Sequence, residues 1–388
     1  MSGEPQQGPD QPRTDLRVTT LELFFDLIFA FTLTQLTVLL IPGLSARGVV
    51  QVLLVFGLLW WMYGGYAWLT NSRPPVRTPE RLLLVIGMAG FLVVGLAIPR
   101  GFSRDGVALG LGYLLVVLVH TWLYARANPQ IWRIAPFNVT SAVLVIAAGF
   151  TRGVAQYALW VAALVIQAGA PLVVRLGGRF DLRPAHFAER HGALVIVAIG
   201  ESIAAIGIGA SDKPVDVMLV VPAVAGLALA VVLWWMYFGT GDDEQGEHAM
   251  RRAGADRRPG LALSAYFYAH IPILLGIVFA AAGVSAATSE GERAGLKAAL
   301  ALGVGSASFV AGTAAFRSAL RIGQVRLRLA AALFALATIP LGALVAIEAQ
   351  LGVLTAGLAA LLAAERPAIG SAGPPAESAS GPAPDPAL

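Results

Sequence analysis

Apolar stretches of about 20 residues recur from one end of this chain to the other, and they constrain the fold more than any other feature of the sequence. A helix of that length crosses the hydrocarbon core of a bilayer, which is roughly 30 Å thick. Only 13% of the 388 residues are charged, whereas about 25% are charged in an average soluble domain. The sequence therefore predicts an all-α integral membrane protein with about twelve transmembrane helices, over residues 19–41, 48–69, 80–98, 106–126, 132–149, 154–175, 185–209, 215–238, 261–285, 294–316, 325–347 and 350–364.

The chain contains no cysteine, which excludes disulfides, cysteine-ligated metals and thiol catalysis. No cofactor motif is present, and we predict no cofactor. The net charge of +4 comes from arginines between apolar stretches, so we predict contact with the lipid bilayer and none with nucleic acid. Most basic residues fall on one side, above all in the loops around 175–183, 251–258 and 317–328. This bias predicts a multi-pass protein of the cell membrane with both termini in the cytoplasm, and a homo-oligomer stays open.

The pentapeptide Leu-Trp-Trp-Met-Tyr occurs twice, at 59–63 and at 233–237. An interfacial aromatic belt predicts residue type but not an identical pentapeptide, so shared descent explains the match better. The offset predicts two parallel repeats of six helices, related by a pseudo-two-fold axis along the membrane normal. The predicted segments are a disordered cytoplasmic tail over 1–18, the first repeat over 19–175, a cytoplasmic linker over 176–184, the second repeat over 185–364 and a disordered cytoplasmic tail over 365–388.

Acidic residues lie inside two of the apolar stretches. Glu22 and Asp26 share one face of the first predicted helix, and Thr37 lies near the same stripe. When the predicted second repeat is aligned with the first at an offset of 175 residues, Asp26 corresponds to Glu201, which precedes Ser202. An acid in hydrocarbon costs at least about 2.5 kcal/mol unless it is paired, protonated or hydrated. We therefore predict that spans one and seven line a path for an ion or small solute with these five residues, although a structural carboxylate stays open for Glu22.

Three histidines, together with Glu189 and Arg190, also lie within or at the ends of apolar stretches. The seventh span opens with a turn that contains His186, Glu189 and Arg190, whose charges we expect to partner the acids of span one. The spacing matches no strong zinc signature, so we predict no metal site. His120 and His270 lie within other apolar stretches, where an imidazole can relay protons, although a hydrogen-bonded neutral imidazole is the commoner case.

Two motifs carry a resemblance to a known family. They are the run 21–31 followed by Gln35-Leu36 in the first span, and Glu189-Arg190-His191-Gly192 followed by Gly200-Glu201-Ser202 in the seventh. Over roughly residues 15–365 the sequence resembles the bacterial low temperature requirement protein A family, which implies a multispanning membrane protein and a link to growth in the cold.

The run 24–31 is also similar to the first helix of the lysosomal and bacterial potassium channels that are built from two six-helix repeats. In those channels the equivalent helix of each repeat lines the pore. Phe25 stands here where the channels have a serine, so potassium selectivity does not transfer.

The sequence thus favours a transporter or channel for an ion or small solute over two alternatives. The first is an integral membrane enzyme that acts on a lipid or isoprenoid, with Glu22, Asp26, Glu201 and His186 near the cytoplasmic face. The second is a non-catalytic membrane protein needed for growth at low temperature, in which the acids are dispensable.

Overall fold

The computed structural model describes residues 18–41, 44–174, 182–211, 213–290 and 295–365, and within these ranges the regular structure is entirely helical. The predicted all-α class is therefore confirmed. The helices are α1 Thr20–Leu40, α2 Ala46–Ser72, α3 Thr78–Ala97, α4 Gly106–Ala125, α5 Ala135–Gly149, α6 Val154–Val173, α7 Pro184–Ala210, α8 Val217–Trp234, α9 Asp242–Arg252, α10 Arg258–Ala262, α11 His270–Glu290, α12 Gly295–Leu320, α13 Val325–Ala337, α14 Ile339–Leu344 and α15 Ile347–Ala364.

Eleven helical segments of the described ranges are long and apolar enough to cross a membrane. α5 is also apolar but has only 15 residues, which gives it a length of about 22 Å. Together these segments correspond to the twelve predicted spans. The chain is a multi-pass membrane protein whose outer helix faces contact lipid.

Several of the spans depart from regular α-helix. Wider π-helical turns occur at Trp235–Gly239, after α8, and at Leu263–Tyr268, between α10 and α11. Such turns are frequent at functional sites. The predicted span 325–347 is divided at Thr338 into α13 and α14, because Pro340 follows and its ring is incompatible with an uninterrupted helix.

The segment that links α8 to α11 contains a helix where the sequence predicted only a basic loop. α9 has Asp242, Asp243 and Glu244 in its first turn and Arg251 and Arg252 in its last. Acidic residues at a helix N-terminus and basic residues at its C-terminus complement the helix dipole, so this short polar helix is stabilised by its own charge order.

Helix neighbours before and after residue 175 correspond. α1 packs on α2 and α3, and α3 packs on α4; likewise α7 packs on α8 and α11, and α11 packs on α12. The two repeats, their two-fold relation and their boundaries stay predictions. α1 also contacts α7 and α11, which connects the helices before residue 175 with those after it.

Candidate functional site

α1 begins with a capping box that fixes the position of Glu22. The Thr19 hydroxyl donates to Glu22 Oε2 at 2.8 Å, and the Thr19 backbone N–H donates to the same oxygen at 2.9 Å. In return, the Glu22 N–H donates to the Thr19 hydroxyl oxygen. The Glu22 side chain is completely buried, and His186 Nε2 of α7 lies 3.2 Å from its carboxylate. Glu22 therefore joins the start of α1 to the start of α7.

Asp26, one turn further along α1, is paired with Arg190 of α7. Arg190 Nε donates to Asp26 Oδ1 at 3.0 Å, and Arg190 Nη2 lies 3.0 Å from the same oxygen. Both side chains are at most 1% exposed. The guanidinium also donates to the Thr70 hydroxyl and lies 5.3 Å from the Phe25 ring centre and 5.5 Å from that of Tyr63. Such ring contacts stabilise a buried cation.

The hydrogen bonds of Asn71 determine which ring nitrogen of His186 carries the proton. Asn71 Oδ1 accepts from the Arg183 N–H at 3.0 Å, which fixes the orientation of the amide group. Asn71 Nδ2 is therefore the donor that faces His186 Nδ1 at 3.3 Å. Because a nitrogen that accepts a hydrogen bond carries no proton, we assign to His186 the neutral tautomer that donates from Nε2 to Glu22.

Glu22, Asp26, His186 and Arg190 together form a buried charged cluster. With this tautomer of His186, the charges of the cluster do not balance. Two carboxylates face one guanidinium and one neutral imidazole, which gives a net charge of −1 when both acids are ionised. Among the described residues, the Tyr63 hydroxyl approaches the Asp26 carboxylate, and both groups are buried. A net negative charge in a buried site is energetically unfavourable.

Glu201 and Asp26 have separate partners. Glu201, which is half-buried, accepts a hydrogen bond from Thr34 of α1. Thr34 is eight residues beyond Asp26, which corresponds to about 12 Å along the helix axis. Thr37 donates to the Leu33 carbonyl of its own helix at 3.3 Å, and Ser202 is buried beside Glu201. α1 and α7 therefore carry two polar contacts, and their roles in transport stay predictions.

The other supporting residues predicted from the sequence, Glu189, His270 and His120, each lie in a different part of the structure. Glu189 is exposed and accepts from the Val18 N–H at 3.2 Å. His270 is fully bonded, with Nε2 2.9 Å from the Tyr237 hydroxyl and Nδ1 2.9 Å from the Ala265 carbonyl. His120 is buried in α4, and neither of its ring nitrogens makes a hydrogen bond.

A second cluster of buried charges was missed by sequence analysis. Arg317 and Arg328 were assigned to a cytoplasmic loop, but they lie in α12 and α13 with side chains at most 4% exposed. Arg317 Nε donates to Asp242 Oδ2 at 2.8 Å, and both arginines donate to Glu365. Glu365, expected in a disordered tail, is therefore held at the end of α15. The rest of that tail lies outside the described residues, as do residues 1–17 and most of the predicted linker.

Thr70 and Asn71 were also missed. They follow the end of the first pentapeptide copy by seven and eight residues, and the sequence signal is a short polar run at the end of an apolar helix. As for metals, no three histidine, aspartate or glutamate side chains converge as ligands in the part of the chain that the structure describes.

Two comparisons place the chain among known proteins. It is 28% identical over 279 residues to a protein from Rhizobium meliloti (strain 1021) named "Uncharacterized protein RA0937", and the match covers 68% of this chain and 67% of that one. The family model of the bacterial low temperature requirement A protein (LtrA) matches residues 17–364, which contain both charged clusters except Glu365. This chain belongs to the bacterial low temperature requirement A family.

Proposed function

We propose that this protein is a membrane transporter of an ion or small solute, in which Glu22, Asp26 and Arg190 take up one proton in each transport cycle. The observation that carries the proposal is the net charge of −1 that this fully buried cluster has when both acids are ionised and His186 is neutral. Ionisable residues within membrane spans are rare, and they mark proton relays and ion paths.

The position of the cluster supports coupling to movement. Its side chains come from α1, α2 and α7, and α1 and α7 belong to different halves of the molecule. A proton on Asp26 weakens its attraction to Arg190, which loosens the contact between the halves. Alternating access in repeat-based transporters is largely a rocking of one half against the other. Protonation of this one carboxylate can therefore bias the relative position of the halves.

The packing around the cluster favours a carrier over an open channel. Phe25, Tyr63 and Arg190 are all at most 1% exposed, and the two rings lie against the guanidinium. A continuous water-filled pore at this level would expose these side chains. Ion movement past the cluster therefore requires a change in helix packing, as in a carrier.

A cavity of about 390 Å³ lies beside the start of α1, next to the cluster. It is lined by Thr19, whose hydroxyl binds Glu22, by Arg73, Arg77 and Arg183, and by Glu80, which pairs with Arg73. An excess of arginines over acids repels metal cations and attracts anions. Their presence favours a proton as the coupling species and an anionic solute as its companion.

The test is proton flux into liposomes that contain the purified protein and a trapped pH-sensitive dye. With an imposed pH gradient and the membrane potential held at zero, we expect the wild-type protein to acidify the vesicle interior. Asp26→Asn keeps the size of the side chain but removes the titrating group, and we expect its flux to fall at least tenfold. Glu247→Gln alters a half-buried acid of α9, away from the cluster, and serves as the matched control.

Glu22→Gln and Glu201→Gln extend the test to the other acids of the α1–α7 interface. A loss of flux in both variants would place both polar contacts on the path. Unchanged flux in Asp26→Asn, or no flux above empty liposomes for the wild type, would contradict the proposal. Restoration of growth in the cold by these variants without flux would favour the non-catalytic alternative.

A further inference from the structure

A cavity of about 420 Å³ lies between α2, α4, α5 and the π-helical turn at Leu263–Tyr268. It is distinct from the charged cluster, because Trp61 lines the cavity whereas Tyr63, two positions along the same helix, contacts Arg190. Two positions correspond to about 200° of helical rotation, so they lie on opposite faces of α2. The volume is within the range of about 300–1,000 Å³ that is usual for small-molecule sites.

The walls of the cavity are predominantly apolar and aromatic. Its aromatic side chains are Trp61, Trp68, Tyr124, Phe267 and Tyr268. Glycines bring two of the surrounding groups close to α2: a Cβ atom at Gly64 would lie 2.7 Å from the Phe267 ring, and one at Gly65 would lie 2.8 Å from His120 Nε2. Among the residues that the structure describes, no Asp, Glu, Lys or Arg side chain lines the cavity, so it suits an uncharged ligand.

Two buried polar groups face this apolar cavity without partners. His120 is 4% exposed, and neither ring nitrogen makes a hydrogen bond, although the ring approaches the Gly65 backbone. Asn138 is 3% exposed, and its Oδ1 has no partner. A buried polar group without a partner is costly, and it is retained where a ligand or solvent completes its hydrogen bonds. At a second intramembrane histidine, His270, both ring nitrogens have partners in the protein.

We propose that this cavity binds an uncharged, largely apolar molecule with a hydroxyl group, which is held by His120 and Asn138. A neutral imidazole offers one donor and one acceptor, and Asn138 Oδ1 offers a further acceptor. A hydroxyl group can donate to one of these and accept from the other. The aromatic walls enclose the apolar part of the molecule, for which rings and isoprenoid chains are equally suited.

Quenching of tryptophan fluorescence tests this proposal directly, because Trp61 and Trp68 line the cavity. The probes are 4-bromophenol and bromobenzene, which have the same ring and quenching atom but differ in the hydroxyl group. We expect saturable quenching of the purified protein by both, with 4-bromophenol bound more tightly. His120→Phe and Asn138→Leu should each weaken 4-bromophenol binding roughly fivefold and leave bromobenzene unchanged, because each removes one neutral hydrogen bond.

His248→Phe is the matched control, since it makes the same substitution at an exposed histidine of α9. Non-saturable quenching, or equal affinity of the wild type for the two probes, would overturn the proposal, and so would unchanged 4-bromophenol binding in both variants. The comparison of the probes on the wild type needs no variant, so the proposal stays testable if His120→Phe does not fold. The result is also independent of proton flux.

Discussion

Replacement of Arg190 by leucine removes the only cation that contacts Asp26 in the charged cluster. Arg190 and Asp26 are both at most 1% exposed, and two guanidinium nitrogens lie 3.0 Å from Asp26 Oδ1. Leucine leaves Asp26 and Glu22 without this guanidinium in a site closed to water. Removal of one partner of a buried ion pair typically destabilises a protein by about 3–5 kcal/mol.

For a chain of 388 residues, that loss corresponds to a decrease in melting temperature of roughly 4–6 °C, from the average unfolding entropy per residue. The assay is thermal unfolding in detergent micelles, followed by tryptophan fluorescence. The control is Arg251→Leu, which removes an exposed arginine paired with Glu247 on α9. We expect that variant to change stability by less than about 0.5 kcal/mol.

A second replacement separates the buried charge from the loss of packing. Asp26→Leu combined with Arg190→Leu replaces the ion pair by apolar side chains, and buried pairs replaced in this way often lose no stability. We expect the double variant to recover most of the loss seen with Arg190→Leu alone. Equal melting temperatures for Arg190→Leu and Arg251→Leu, or a double variant no more stable than the single one, would refute the reasoning.

Two further predictions concern helix packing and the second cluster. Gly276→Val should destabilise the protein by about 1–3 kcal/mol at the α11–α12 contact, because a Cβ there would lie 2.7 Å from the Gly305 carbonyl oxygen. Gly352→Val is the control: a Cβ at Gly352 would have no neighbour within 4 Å, so the melting temperature in the same assay should change little. Arg328→Leu should cost about 1.5–3 kcal/mol, because Glu365 loses charged hydrogen bonds from Arg328 but keeps those from Arg317. Equal stability of Arg328→Leu and the wild type would contradict this prediction.

The contacts of the seventh span were partly accessible from the sequence. His186 and Arg190 are four residues apart and therefore share a helix face, as Glu22 and Asp26 do in the first span. A buried charge needs a partner, so opposite charges at corresponding helix ends could be matched before the fold was known. The hydrogen bonds of Thr70 and Asn71 could not be predicted, because a polar side chain near a helix end can bond to many nearby backbone groups instead.

The second cluster shows where sequence reasoning failed. Basic residues were counted as loop residues because the orientation rule treats every arginine near a span end alike. Arg317 and Asp242 are 75 positions apart, and Arg328 and Glu365 are 37 apart. Their pairing depends on the approach of α9, α12, α13 and the end of α15, which no local pattern specifies.

The sequence by itself determined that this chain is an all-α membrane protein, because the hydropathy of a single helix decides whether that helix enters a bilayer. It also revealed the acids of α1 and α7, whose presence in apolar stretches is visible without a partner. Only the tertiary structure decided that Asp26 meets Arg190, that Glu201 meets Thr34 instead, and that His120 faces a cavity. The physical reason is that pairing and cavity shape depend on contacts between helices distant in sequence, whereas hydropathy is a sum over adjacent residues.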